Sequence, residues 1–337
     1  MGRHKKIKDI KETNDKSSGS SKNTERDTAL QNMMRDINKK LGPNAIKFAK
    51  DEPIKTRIPF GVEAIDNFTG GAVRGNFVIA YGGDSVGKST LAYTQIATCQ
   101  KAGLRCAYFD LEHSMNPKRA ESFGVNLGEL ILIEEITTAE QAMDILINLA
   151  KAKVIDYAVI DSIQAMSPKG QQETKKGEVK SVEDDNIALL ARKMSQFLTM
   201  SKDYVYAANI GVLLIGQIRT GGIGTFVITS TLTGGNALKH YSMLTLFMRK
   251  GQGADAPVEK YKEYFEDQKG KVHHITKERA IGHDLVISIE KTKVDNCRPE
   301  RSQLHLPFYF NTGFFAPKKE EVEKEVTDAS SKEETKE

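Results

Sequence analysis

Cysteine is scarce in this chain. Cys99, Cys106 and Cys297 are its only three, and their spacing suggests neither a disulfide framework nor a cysteine-rich zinc site. Long apolar runs are missing too: none approaches the roughly 20 residues that a membrane-spanning helix needs. The opening Met1-Gly-Arg-His-Lys-Lys-Ile-Lys carries no apolar segment of the secretory kind. These absences make the cytoplasm the expected compartment and leave no membrane among the expected partners. Nor is one sign of charge in large excess. The formal net charge of +4 is too small to argue for nucleic acid by itself; only its placement could. The chain has 337 residues, 39% hydrophobic and 28% charged, which suits one large α/β domain with appendages or two modest domains.

What the chain does have is a complete phosphate-binding loop, Gly82-Gly83-Asp84-Ser85-Val86-Gly87-Lys88-Ser89, followed by Thr90. The apolar run Phe77–Tyr81 before it reads as a buried parallel strand, and a helical pattern from Lys88 to Lys101 follows at once. Gly82 and Gly87 let the backbone turn tightly, so that successive N–H groups converge on phosphate oxygens and the helix N-terminus adds partial positive charge. Lys88 is placed to reach the β- and γ-phosphates, and the Ser89 hydroxyl to ligate Mg²⁺. The spacing predicts a nucleoside triphosphate site.

The rest of the chain alternates strands and helices. Leu104–Asp110, Leu130–Ile133, Tyr157–Asp161, Gly211–Ile215, Met243–Met248 and Leu285–Lys291 read as strands. Pro117–Phe123, Thr138–Lys151 and Asp184–Tyr206 read as helices. The fold class expected is α/β, a mostly parallel twisted sheet with helices on both faces. The polar, lysine- and serine-rich residues 1–27 read as a flexible basic arm. Leu30, Met33, Met34, Ile37 and Leu41 recur at helical spacing, so residues 28–50 read as one amphipathic helix stopped by Gly42-Pro43. Such a helix packs either on its own domain or on a neighbouring subunit. Residues 51–316 form the core, in which 251–284 break the rhythm as an insertion or hairpin. Residues 317–337, with eight acidic and five basic side chains, read as a disordered charged tail.

Other strand ends carry chemistry. Asp161, ending Tyr157–Asp161, is the type of residue that holds a Mg²⁺ shell beside a phosphate loop, though aspartate also ends strands simply for solvation. In Tyr108-Phe-Asp110-Leu-Glu112-His113, Glu112 lies where a carboxylate could orient or deprotonate water; the alternative is that Asp110 or Glu112 caps the next turn. Gln217 closes Leu213–Gln217 with a neutral amide suited to hydrogen-bonding a γ-phosphate. The Gly- and Thr-rich run that follows, through Phe226 to Asn236, reads as a functional loop. Lys291 and Lys293 alternate in an extended segment and project from one face, as a functional pair or as guards of an exposed edge.

In order and spacing, GGDSVGKST, YFDLEHSMNP, YAVIDS, ALLARKMSQ, LIGQIR, LTGGNALK and EKTKV resemble the RecA recombinases, and the resemblance runs from about Thr28 to Phe315. It implies a RecA-like ATPase core preceded by a polymerisation helix, in a filament-forming, DNA-dependent ATPase that pairs homologous strands. ATP and Mg²⁺ are the implied cofactors. Single- and double-stranded DNA, further copies of the chain in a helical filament, and a single-strand-binding protein or mediator are the implied partners. By the same resemblance Glu112 activates water, Lys88, Ser89 and Asp161 serve phosphate and metal, and Gln217 senses the γ-phosphate. Lys291 and Lys293 reach a neighbour's ATP. The segments about 168–185 and 220–233 correspond to two DNA-binding loops, with Phe226 against the nucleic acid. Gly234, Gly235 and Asn236 match the loop-closing motif. Arg192 and Arg219 match basic residues near the DNA path, and each equally suits a surface charge.

The departures are informative. Arg119 stands where the family has a tyrosine that stacks on adenine, and Asn116 replaces an acidic residue at the base, which puts base selectivity in question. Gly216 replaces an asparagine beside Gln217, and His240 a phenylalanine near the subunit boundary. The first loop is longer than the family's, and the bacterial proteins' folded C-terminal domain is expected to be missing. That is the pattern of a divergent or virus-encoded member, for which the compartment would be the host cytoplasm. The alternatives are a ring-forming helicase or DNA-repair ATPase on the same core, and a non-catalytic scaffold coating single strands.

Overall fold

The computed structural model describes residues 19–42, 45–52, 56–136, 138–165, 186–221, 229–232, 236–251, 256–266 and 271–316. The chain divides into two units, Met1–Ile54 and Lys55–Glu337. In the first, helix α1 spans Gly19–Leu41, so it starts well inside the segment expected to be a flexible arm and stops short of Phe48. The reason is cooperative. Once the apolar stripe from Leu30 to Leu41 nucleates a helix, each further residue adds a backbone hydrogen bond at little cost, even where the sequence is polar. Gly42, at φ 120°, ends it. The Asn38 amide then donates to the Ile46 carbonyl and accepts from the Ile46 N–H, both at 2.9 Å, which ties the following turn to the helix.

In the second unit, β1 (Arg57–Ile58) and β2 (Ala72–Val73) pair antiparallel around α2 (Glu63–Thr69). Then come β3 (Asn76–Gly82), α3 (Lys88–Lys101), β4 (Cys106–Asp110), α4 (Pro117–Ser122), β5 (Ile131–Ile133), α5 (Ala139–Ala152) and β6 (Tyr157–Asp161). Beyond them lie α6 (Asn186–Ala208), β7 (Gly211–Gly221), β8 (Thr229–Leu232), α7 (Asn236–Tyr241) and β9 (Ser242–Lys250). The unit ends with β10 (Val258–Glu266), β11 (Val272–Ala280), β12 (Gly282–Thr292) and β13 (Gln303–Tyr309).

Nine strands form one sheet in the order β13-β12-β9-β3-β7-β6-β4-β5, with β8 added to β7. From β9 to β5 every neighbouring pair is parallel, whereas β12 joins β9 and β13 antiparallel. The expected α/β class holds. Alternation along the strands sends Val78 and Ala80 of β3 into one apolar cluster with Leu91 and Ile96 of α3. Phe77, Ile79 and Tyr81 enter a second with Leu146 of α5 and Phe197 of α6. Each of the buried Val, Leu, Ile and Phe side chains among these stabilises the sheet by about 1.5–3 kcal/mol, so the middle strands are held on both faces.

One open local expectation is settled as a hairpin, and two others need correcting. The 251–284 stretch contains an antiparallel hairpin of β10 and β11, laced by cross-strand Lys260–Glu278 and Arg279–Glu259 pairs. The strand expected to stop at Ile215 continues to Gly221 and pairs with β8, Ile218 lying opposite Leu232 and Gly221 opposite Thr229. Threonine-rich flanks favour a ladder there over a loose loop. Finally, β12 slips register between Ile289 and Lys291 and ends at Thr292, so the bulge breaks the simple alternation expected of Lys291 and Lys293.

Candidate functional site

Parallel register lines up the site before any side chain is considered. Gly82 at the end of β3 lies opposite Gln217 of β7, and Asp110 at the end of β4 lies opposite Asp161 of β6. Three strand ends and Gln217 of β7 therefore meet at the carboxyl edge of the parallel strands, where open parallel sheets place their ligands.

The loop from Gly82 to Thr90 turns between β3 and α3. Gly87 caps the helix at φ 98°, and a β-carbon there would meet the Phe308 ring at 2.4 Å, so both conformation and packing require glycine. Lys88 is only 9% exposed, and its Nζ donates to the Gly82 and Gly83 carbonyls at 3.2 and 2.6 Å. Burial lowers its pKa, an effect opposed by the negative charges of Asp84, Asp161 and Glu112. One wall of the loop opens on a cavity of about 340 Å³ lined by Ser85–Thr90, Arg119, Phe308 and Phe310. This is a cationic cradle of backbone N–H groups with an aromatic and guanidinium far end.

Asp161 is buried, and its Oδ2 accepts from the Ser89 hydroxyl at 2.8 Å and the Tyr108 hydroxyl at 2.7 Å. Burial pushes its carboxyl up from the usual range, while those two hydrogen bonds pull it down. A hydroxyl and a carboxylate side by side at the loop fit a hard divalent cation that completes its shell with phosphate oxygens and water. Among the described residues no group of three or more His, Cys, Asp or Glu side chains is arranged to hold a metal.

The acid that ends β4 and the one two residues beyond it divide their tasks. Asp110 accepts from the backbone N–H groups of Ser114 and Met115 at 3.0 and 2.9 Å, so it is the turn-capping residue. Glu112 stays exposed, and its Oε1 accepts from the Ser162 hydroxyl and from the Gln217 amide at 3.1 Å. Gln164 donates to the Gln217 carbonyl at 3.1 Å and so steadies it. Nothing in the spacing of Ser162 or Gln164 announced these contacts, which only the adjacency of β4, β6 and β7 creates.

Next to Gln217, a β-carbon on Gly216 would meet Leu232 at 2.8 Å and the Tyr81 Cβ at 3.1 Å. The space of the expected asparagine is filled from β3 and β8. Gly216→Asn should therefore destabilise the fold by about 1–3 kcal/mol through overpacking. Urea unfolding measures this, and an unchanged midpoint would refute it.

Farther out, Asn116 spends its side-chain oxygen capping α4, accepting from the Arg119 N–H at 3.1 Å. The Arg119 guanidinium donates to the Phe310 carbonyl at 3.1 Å and lies 5.3 Å from the centre of the Phe123 ring. Phe308 and Phe310 were missed by sequence reading, because β13 reaches the loop from more than 200 residues away in the chain.

Lys291 is not free in the isolated chain. Its Nζ donates to the Lys239 and His240 carbonyls, closing the end of α7, and its pKa is lowered by burial and by Lys293. Lys293, past the strand end, is exposed, as are His240 and Arg192. Arg219 lies in β7 opposite Thr231, and Asn236 opens α7. Phe226, Gly234, Gly235 and the 168–185 segment lie outside the described residues. Among the described residues no helix is long and apolar enough to cross a membrane.

A family model, the RecA N-terminal domain, matches residues 28–281. Protein RecA of Francisella tularensis subsp. novicida (strain U112) is 36% identical over 231 residues, or 67% of this chain and 62% of the relative's length. Protein RecA of Francisella tularensis subsp. tularensis (strain SCHU S4 / Schu 4) matches to the same extent. The chain thus spans somewhat less than two thirds of these curated relatives. With the phosphate loop, the acidic strand ends and the sheet order already in place, the match leaves one conclusion: the chain belongs to the RecA family.

Proposed function

We propose that this chain is an ATP- and Mg²⁺-dependent recombinase that assembles as a helical filament on single-stranded DNA and pairs it with homologous duplex. The observation that carries the reading is the Glu112–Gln217 contact. Gln217 sits on β7, the strand that leads into the segment about 220–233, the counterpart of a family DNA-binding loop. A carboxylate placed for water activation and an amide placed for γ-phosphate sensing therefore share one hydrogen bond. Any change at the phosphate is felt by the strand leading to DNA.

In this reading the loop N–H groups and Lys88 hold the phosphates, and Glu112 orients the attacking water. Ser89 and Asp161 hold Mg²⁺, which when bound neutralises charge developing on the phosphates. Breaking the γ-phosphate contact frees the Gln217 amide to return to Glu112. Lys291 and Lys293 act on a neighbouring protomer's phosphates, which requires Lys291 to leave the end of α7 on assembly. Arg192, Arg219, Phe226 and the Gly234–Asn236 turn serve the DNA, read mainly through backbone charge and stacking rather than base edges. Base pairing supplies the sequence choice. The site of action is the cytoplasm.

The test is ATP turnover with and without single-stranded DNA, with electron microscopy of the same samples and strand exchange on homologous and heterologous duplexes. Stimulated turnover, filaments and exchange confined to the homologous duplex are expected. Closed rings would point to a helicase-like ATPase, and DNA binding without stimulated turnover to a coating scaffold; either sinks the proposal.

A further inference from the structure

Gln217 sits at a gap in the pairing of β7. The ladder with β6 stops at the Ile160–Leu214 pair, and the ladder with β8 starts only at Ile218–Leu232. Among the described residues, Ile215, Gly216 and Gln217 pair with β3 alone. The residue read as the γ-phosphate sensor therefore lies where its strand has lost one neighbour and not yet gained the next. A strand paired on one side only leaves part of its backbone without ladder partners and opens more readily than a doubly paired one.

One side chain bridges the gap. β6 ends at Asp161, and the 3₁₀ turn Ile163–Ala165 follows, closed by the Ala165 N–H donating to the Ser162 carbonyl at 3.2 Å. From that turn the Gln164 amide donates to the Gln217 carbonyl at 3.1 Å. Glycine at position 216 leaves room for it: a β-carbon there would already touch Gln164 Nε2 at 3.7 Å, and a longer side chain would compete for the same space. The other half of the amide shows that packing is not its purpose. Among the described residues Gln164 Oε1 is buried and meets no donor. A buried carbonyl without a donor opposes folding, so an apolar side chain of equal length would suit the fold at least as well. What the amide adds is the bond it donates to Gln217. The Ser162 hydroxyl, from the same short stretch, donates to Glu112 Oε1, the oxygen that the Gln217 side chain reaches at 3.1 Å. The chain just after β6 thus grips both partners of the Glu112–Gln217 contact.

We propose that Gln164 is a positioning residue that pins the β7 backbone at Gln217 and so aims the sensing amide. It brings from β6 an amide to the place where Gly216 has replaced the asparagine of the RecA proteins. It touches neither nucleotide nor DNA. The inference rests on the proposed ATP-dependent DNA binding and adds to it the group that keeps the sensor in place.

The experiment measures affinity for a labelled oligothymidylate, without nucleotide and with Mg²⁺ and a non-hydrolysable ATP analogue, for the full chain and for Gln164→Met and Gln164→Leu. The ratio of the two affinities is the coupling between nucleotide and DNA. Gln164→Met keeps the length and loses the donor, so it should lower the coupling about fivefold, the scale of one neutral hydrogen bond. Affinity for the analogue without DNA should stay within about twofold of wild type, since Gln164 makes no contact with phosphate. The melting temperature should not fall, because the unpaired buried oxygen goes with the donor. Gln164→Leu should lower the coupling in the same way. A merely structural glutamine would lower the melting temperature on replacement and leave the coupling where it was. Wild-type coupling in Gln164→Met overturns the assignment, as does an equal loss of affinity for the analogue itself. Should Gln164→Met fail to fold, Gln164→Leu decides by the same ratio. A wild-type chain whose oligothymidylate affinity is not raised by the analogue sinks the recombinase reading and this inference together; normal coupling in wild type and in both variants sinks only the role of Gln164.

Discussion

Replacing Lys88 by methionine is expected to abolish useful nucleotide binding while leaving the empty fold at least as stable. The two halves of that result have opposite electrostatic origins. The ammonium is buried, and its pKa is lowered chiefly by that burial. A lysine whose pKa falls on folding holds its proton less favourably in the folded chain than in the unfolded one, so at neutral pH the charge opposes folding. The Gly82 and Gly83 carbonyls and the nearby acids offset this only in part. Phosphate reverses the balance, since a desolvated cation beside converging N–H groups binds an anion strongly. Isothermal titration should show affinity for Mg²⁺-ATP falling by at least about 10²-fold, the scale of losing one preorganised charge contact. Thermal unfolding without nucleotide should show no drop in midpoint. Wild-type affinity would remove Lys88 from the site; a large drop in midpoint would show that its two carbonyl contacts outweigh its desolvation.

Glu112→Gln is the second large effect, and it should separate chemistry from binding. Glu112 is exposed beside the phosphate loop, receives hydrogen bonds from Ser162 and Gln217, and caps no turn, because Asp110 does that work. A glutamine keeps the size and still offers a carbonyl oxygen to both donors, but it cannot take a proton from water. Single-turnover hydrolysis should slow by about 10²–10⁴-fold, the usual contribution of a positioned general base. ATP affinity should shift less than about threefold, because the carboxylate acts on water rather than on the ground-state phosphates. Equal losses of affinity and rate would mean that Glu112 merely shapes the loop. An unaffected rate would hand the base role to another group.

Legibility in the sequence followed the range of the interactions. The phosphate loop was readable because strand, glycines, lysine and helix are contiguous, and their conformational demands are local. The strands read before the structure mostly needed only their ends adjusted, since apolar runs between turn signals report burial directly. Three features were misread for non-local reasons. The helix at Gly19 gains its polar first turns from cooperativity with residues beyond them. The extension of β7 to Gly221 depends on a partner strand, β8. The register slip at Lys291 arises where β12 must match β9.

By itself, then, the order of residues determined that a triphosphate-type loop sits between a buried strand and a helix, in an alternating α/β chain whose motif series is that of RecA. Those are matters of backbone torsion, periodicity and spacing, which neighbouring residues settle among themselves. Tertiary structure alone decided that Glu112 meets Gln217 rather than capping a turn, that Phe308 fills the space beside Gly87, and that the buried Tyr108 hydroxyl reaches Asp161. Each of those contacts joins segments from separate strands or helices. A hydrogen bond or a ring contact acts over a few ångströms of space, whatever length of chain lies between its partners.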